Sequence, residues 1–320
     1  MNSTDILKAT FRNKNRHYPG HEDKRQVSFP DRVEIGRQQN MIRPALRPSF
    51  QIKRSSSVFT IGSCFARNVE RFLLAEGVDV PAASFRVPEG EVPGGENRVL
   101  NQYNPGSMAQ AIQFASEPVH YDGIVETASG AVDLLLATGT RPVSIDRARE
   151  RREQVHDLYR RSIDQADVVL ITLGLVEAWR DKQTGLWLND VLVGHVRSEP
   201  DRYEFHQMNV AQCEEMITQM IASLGEKNVV VTVSPVPLQM TFTDDDCVVA
   251  NTTSKATLRV AADLVCKKFP NVDYYPSFEM VTLLGATAYG YDNVHVRDYI
   301  VHHVVNYMLT SYLEKLSGRH

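Results

Sequence analysis

The sequence predicts a doubly wound α/β fold on a mostly parallel sheet, and three observations predict it. Val58-Phe59-Thr60-Ile61, Asp167-Val168-Val169-Leu170-Ile171-Thr172 and Asn228-Val229-Val230-Val231-Thr232-Val233 are short, nearly continuous apolar runs. Strands buried on both faces of a parallel sheet read this way. Helix-periodic stretches separate the runs, and strands alternating with helices indicate crossover connections. Each run also leaves through polar or permissive residues, at Gly62-Ser63, Thr172-Leu173-Gly174 and Ser234-Pro235. Strand exits of this kind line the ligand crevice of such sheets.

In chain order, residues 1–50 read as an irregular arm, partly disordered or wrapped on the body, with Pro19, Pro30, Pro44 and Pro48 among many charges. The compact domain is expected over 51–320. After the first strand a helix is expected from about Cys64 to Glu76, with Phe65, Val69, Phe72 and Leu73 at helical spacing and Gly77 as its stop. A loop rich in Pro and Gly runs from Pro81 to Pro105, where Gly94-Gly95 permits a lid movement. Ser107 is expected to cap a helix over Met108–Ala115, and Asp146–Gln165 reads as a charged surface helix. Thr184-Gly185 and Asn189-Asp190, set among aromatic and branched residues, indicate a small β excursion after the central strand. Helices over Asn209–Leu224, Ser254–Phe269 and Asp298–Lys315, with a short strand Val272–Tyr275, complete the pattern.

Composition bounds the function. The chain of 320 residues is 42% apolar and 23% charged, as ordinary soluble domains are. Its net charge of −4 argues against a general nucleic-acid or anionic-membrane binder. The polar opening lacks the apolar segment of a secretory signal, and no run is long enough for a membrane span. Cys64, Cys213, Cys247 and Cys266 stand without C-x-x-C pairing, which suggests reduced thiols and no structural zinc. A cytoplasmic protein with no cofactor is expected.

Ser63, between a strand's end and a helix's start, has its hydroxyl at the crevice and unpaired main-chain N–H groups nearby. Alone, a serine there is more often a helix cap. Asp292-Asn293-Val294-His295 before the last helix supplies a base, His295, and a carboxylate, Asp292, to orient it. Cys64 is the rival nucleophile, because a thiol at a helix N-terminus can be activated; buried cysteine is the commoner state, and Ser63 is favoured. Lys255 reads equally well as solvated or as an anion-binding group. Glu177, Trp179 and Trp187 fit a sugar-binding rim or, more simply, an anchor for the β excursion. His302-His303 point apart on a helix, and Asp244-Asp245-Asp246 lacks the alternation of a calcium loop, so neither is read as a metal site.

Ile61-Gly62-Ser63-Cys64-Phe65-Ala66 resembles the signature of the GSCFA family, within the wider SGNH (GDSL-like) hydrolase superfamily. Tyr103-Asn104-Pro105, Thr172-Leu173-Gly174-Leu175 with Glu177-Ala178-Trp179, Thr232-Val233-Ser234-Pro235-Val236 and Asn251-Thr252-Thr253-Ser254-Lys255-Ala256 fit it in order. So do Tyr275-Pro276-Ser277-Phe278-Glu279 and Asp292-x-x-His295, so that the resemblance covers roughly 55–310. The resemblance implies a flavodoxin-like three-layer α/β/α sandwich, with Ser63 as nucleophile, His295 as base and Asp292 as third member. Many superfamily members carry a Gly-x-Asn-Asp block whose asparagine completes the oxyanion hole. Here Gly174-Leu175-Val176-Glu177 stands there, and the missing donor is expected from the N–H of Ser63 or Cys64 and from the Asn104 side chain. Gly62, Gly174, Glu177, Ser234 and Lys255 join the substrate-binding candidates. Hydrolysis of an acyl or acetyl ester, on a small molecule or a glycan, is the expected function. Acyl transfer in glycan or nucleotide-sugar assembly, by the same residues, is the alternative. A non-catalytic binding module is the third reading.

Overall fold

The computed structural model describes residues 41–92, 96–137, 139–190 and 193–314. In chain order these form β1 (Val58–Gly62), α1 (Cys64–Ala75), α2 (Pro81–Ser84), α3 (Pro105–Phe114), β2 (Ile124–Thr127) and β3 (Gly130–Asp133). There follow α4 (Ile145–Gln165), β4 (Val168–Leu173), β5 (Glu177–Asp181), β6 (Trp187–Leu188), α5 (Val193–Ser198) and β7 (Tyr203–Gln207). Next come α6 (Val210–Leu224), β8 (Asn228–Val233), α7 (Cys247–Lys268), β9 (Val272–Tyr274), α8 (Ser277–Thr282) and α9 (Asp298–Tyr312).

The three continuous apolar runs are adjacent strands. The central sheet has the order β1-β4-β8-β9, every pair parallel. Successive side chains point to opposite faces. Phe59, Ile61, Val169, Ile171, Leu173, Val229 and Val231 therefore share one core with Tyr159 of α4, Ile217 of α6 and Leu258 of α7. Val58, Val168, Leu170 and Val230 share the other with Phe65, Val69 and Leu73 of α1 and Ile300, Val304 and Met308 of α9. Helices thus cover both faces, which explains why the strands carry no polar alternation. Outside β1, a single parallel bridge joins Ser57 to Asp79, with Val58 N–H donating to Asp79 O at 2.8 Å. This rudimentary strand precedes β1 in the spatial order.

The β excursion is an antiparallel sheet in the order β6-β5-β7. The sequence reading passed over the hairpin β2-β3, whose Arg152–Asp133 ion pair ties it to α4. Several helix starts move. Asn104, not Ser107, caps α3, followed by Pro105 at the first helical position. Asp246 caps α7, which begins at Cys247 rather than at Ser254, so the acidic triplet ends in a helix cap. The last helix stops at Tyr312; Lys315 lies outside the described residues.

Residues 1–40 of the arm and the Gly94-Gly95 pair also lie outside the described residues. The remainder of the arm lies against α9. Arg43 hydrogen-bonds His303 Nε2 through both Nε (3.1 Å) and a terminal nitrogen (2.7 Å), and Tyr307 donates to Pro44 O at 2.7 Å. Phe50 packs on Tyr312 with ring centroids 5.5 Å apart. His302 instead packs edge-on against Phe72. Among the described residues no helix is long and apolar enough to cross a membrane.

Candidate active site

The parallel sheet sends β1, β4 and β8 out on one edge, and their exits converge. Ser63 is the N-cap residue of α1, but its side chain makes no capping hydrogen bond. Its Oγ donates instead to Ser234 Oγ, 3.1 Å away at the end of β8. Ser63 is 4% exposed. The first-turn N–H groups of Cys64 and Phe65 meet only the Cys64 sulfur among the described residues, as expected at a helix start whose cap turns elsewhere. Burial pushes the Cys64 thiol up, against the pull of Arg98, Lys255 and those N–H groups. The thiol is therefore held protonated, the opposite of what a cysteine nucleophile needs.

Asp292 and His295 form a self-contained turn. Asp292 Oδ1 accepts from Val294 N–H and His295 N–H, both at 3.0 Å, while Oδ2 meets His295 Nδ1 at 2.5 Å. Asn293 supplies the left-handed residue that closes the turn, at φ 56°. The bond from His295, then the two N–H groups, hold the Asp292 carboxyl far below the usual carboxylate range. Engaging Nδ1 leaves Nε2 as the working face of the ring. This turn is docked to the crevice edge by Tyr289, whose hydroxyl donates to Pro235 O at 3.1 Å, one residue beyond Ser234. The His295 side chain is 63% exposed, and no hydrogen bond joins it to Ser63 among the described residues.

The exit of β4 is closed to hydrogen bonding. Gly174 N–H and Leu175 N–H both donate to Tyr103 O, at 3.2 and 2.9 Å, and Val176 N–H donates to Ser254 Oγ at 3.0 Å. A Cβ on Gly174 would lie 2.6 Å from Tyr103 O, so the close approach requires glycine. Lys255, the next residue of α7, is 2% exposed and donates to Gly174 O at 2.6 Å. Burial lowers its pKa to about 7, with Cys64 opposing the shift, and no carboxylate forms an ion pair with it among the described residues. Lys255 is thus an internal amine and not a solvated one.

Other candidates are committed elsewhere. Asn104 accepts from Ser107 N–H at 2.8 Å and donates to Leu188 O at 3.1 Å, which ties α3 to β6. Glu177 accepts from the Thr241 hydroxyl (2.6 Å) and Phe242 N–H (2.8 Å), anchoring the loop after β8. Trp179 packs against Phe205 and Phe242, and Trp187 lies under Arg180 and against His206. Both tryptophans hold the small sheet together.

Sequence reasoning missed Asn101. It is fully buried, pairs with Gly62 through a parallel bridge, and its side chain reaches the Tyr103 phenol. No helical or strand periodicity marks the segment, so nothing in the sequence signalled its burial.

Among the described residues no group of three or more His, Cys, Asp or Glu could hold a metal ion. No curated protein matches the chain. A family model described as the GSCFA family matches residues 57–307, from the edge of β1 into α9, and the chain belongs to that family.

Proposed function

We propose that this protein is a serine-dependent acyl-ester hydrolase of SGNH type, working through an acyl-Ser63 intermediate. The observation that carries the reading is the pairing of an uncapped serine, at a helix start whose first two N–H groups meet only the Cys64 sulfur, with an Asp292-oriented histidine on a loop docked to the same edge. The strand order agrees with it. With the bridge at Asp79 counted as a strand, the sheet runs second-first-third-fourth-fifth in chain order, the flavodoxin-like arrangement.

In this mechanism the Ser63 hydroxyl turns from Ser234 towards His295. Oγ bonds to the ester carbonyl carbon, its proton passes to His295 Nε2, and the carbonyl π pair moves onto oxygen. The first-turn N–H groups of α1, at the positive end of the helix dipole, receive that charge. Collapse breaks the bond to the alcohol, which leaves with the proton from His295. Water, deprotonated by His295, then releases the acid and restores Ser63. Asp292 holds the ring and balances the imidazolium. Cytoplasmic location and a glycan or small-molecule ester belong to the same proposal.

The low exposure of Ser63 favours a second reading, transfer of the acyl group to a bound hydroxyl, since a shielded intermediate survives longer against water. Intact-mass analysis after fluorophosphonate treatment tests the serine mechanism in both. Wild type is expected to gain one adduct, with loss of fluoride. Ser63→Ala is expected to gain none, His295→Ala to react at least about 100-fold more slowly, and Cys64→Ala to label like wild type. A folded wild type that stays unlabelled overturns the mechanism and leaves a binding module. Sugar acceptors that accelerate ester consumption would select transfer over hydrolysis.

A further inference from the structure

The geometry points to Ser234 as a further catalytic residue, whose hydroxyl donates a hydrogen bond to the oxyanion formed during attack by Ser63. This rests on the acyl-Ser63 reading and supplies the side-chain donor that an asparagine after β4 does not.

β1 and β8 flank β4, and the two serines leave the sheet along it. Ser63 N–H donates to Thr172 O at 3.4 Å and Ser234 N–H to Leu173 O at 2.8 Å. The exit of β4 between them has no main-chain donor to offer. Its three consecutive N–H groups, from Gly174 to Val176, are bound to Tyr103 O and Ser254 Oγ. Across that exit the two serine hydroxyls meet at 3.1 Å. Among the described residues Ser234 is the one side chain hydrogen-bonded to Ser63 Oγ. In the tetrahedral intermediate the oxyanion and Ser63 Oγ share one carbon, so a group that already touches Oγ lies within reach of the charge.

The bonds that Ser234 makes leave its proton unused. A hydroxyl has two lone pairs and one proton. Ser234 Oγ accepts from Ser63 Oγ–H at 3.1 Å and from Val236 N–H at 3.3 Å, which occupies both lone pairs. Its own O–H has no acceptor among the described residues, although the residue is only 1% exposed. The hydroxyl is also held in place. Pro235 restricts the backbone of the residue before it. Tyr289 donates to Pro235 O at 3.1 Å, and Ser277 Oγ donates to Val233 O at 3.0 Å. A fixed donor, shielded from bulk water and unspent in the resting state, is what stabilisation of a transient oxyanion requires. In the acylation step Ser63 Oγ–H turns to His295, Oγ bonds to the carbonyl carbon, and its proton passes to His295 Nε2. The π pair moves onto oxygen and accepts from Ser234 O–H, together with the first-turn N–H groups of α1. Ser234 keeps its proton throughout, and the same contact forms again when water attacks the acyl-enzyme.

The test uses Ser234→Ala and Ser234→Cys in the full chain, reading both the rate of fluorophosphonate labelling at Ser63 and the melting transition. The phosphoryl oxygen of the probe takes the place of the oxyanion. Removing an oxyanion donor costs about 10²–10³ in rate, so Ser234→Ala is expected to fold and to label that much more slowly than wild type. The thiol of Ser234→Cys has a similar shape and donates weakly, so its rate is expected to fall between the two. Were Ser234 only a resting partner for Ser63, its loss would free the nucleophile and leave labelling as fast or faster. A folded alanine variant that labels within about threefold of wild type, or faster, therefore overturns the assignment while leaving Ser63 as nucleophile. If the alanine variant does not fold, the cysteine variant decides, and labelling within about threefold of wild type overturns the assignment in the same way. Loss of folding in both also overturns it, since the hydroxyl then serves the structure. An unlabelled wild type removes the serine reading itself and this inference with it.

Discussion

Gly62→Ala is expected to cost about 3 kcal/mol or more in folding free energy, from overpacking and backbone strain combined. A Cβ at this position would lie 2.4 Å from Thr172 O, 2.6 Å from Thr172 Cβ and 2.9 Å from its Cα. These atoms belong to β4, held between β1 and β8 in the middle of the sheet, and they have nowhere to move. The backbone adds its own penalty, because φ is +148°, where side chains are rarely found. Relief would require β1 to shift away from β4, carrying Ser63 away from Ser234. Urea denaturation measures the loss, and any folded variant is expected to lose fluorophosphonate reactivity as well. A variant within 1 kcal/mol of wild type would mean that the β1 exit is looser than the contacts with Thr172 require.

Lys255→Met is expected to reverse sign with pH. In the native protein the Lys255 pKa falls from 10.5 to about 7. Below pH 7 the native and unfolded chains both carry the proton, and the full cost of burying the charge is present. Between pH 7 and 10.5 the unfolded chain keeps a proton that the native chain has shed, so wild-type stability rises with pH. The shift from 10.5 to about 7 corresponds to roughly 5 kcal/mol, at about 1.4 kcal/mol per unit. Methionine removes that burden but leaves Gly174 O without its donor, a loss of about 1–3 kcal/mol. The variant should therefore be more stable than wild type at pH 6 and less stable near pH 10. Denaturation of both proteins at a series of pH values gives the difference directly. A difference that stays flat across the range would show that Lys255 remains charged and solvated in the native state.

The parts of the fold visible in the sequence are those in which burial leaves a local imprint. β1, β4 and β8 are covered on both faces, so each is an unbroken apolar run. The turn at Asp292 and His295 was visible because its bonds span three residues or fewer. Long-range features were hidden. Ser254 reads as a helix cap because serine favours that position, yet it lies inside α7, where its hydroxyl binds Val176 N–H from across the crevice. Asn251-Thr252-Thr253 are poor helix formers, and the helix passes through them because Asp246 caps it upstream and its apolar face packs on the sheet. Asn104 and Asn101 look alike in sequence. Only the partners at Leu188 and Asn189, far along the chain, tie the first to β6 and hold the main chain of the second beside Gly62.

The attachment of α9 has a consequence for the order in which the molecule becomes complete during synthesis. One face of the sheet is covered by α1, made early, and by α9, made late. Until α9 leaves the ribosome, Val168, Leu170 and Val230 lack part of their cover, and the segment at Arg43 and Pro44 has no His303 or Tyr307 to hold it. His295 precedes α9 by only a few residues, so in the proposed mechanism Ser63 and its base come together only when that part of the chain has been made. In the proposed mechanism, a nascent chain that ends before His295 would therefore hold Ser63 without its base.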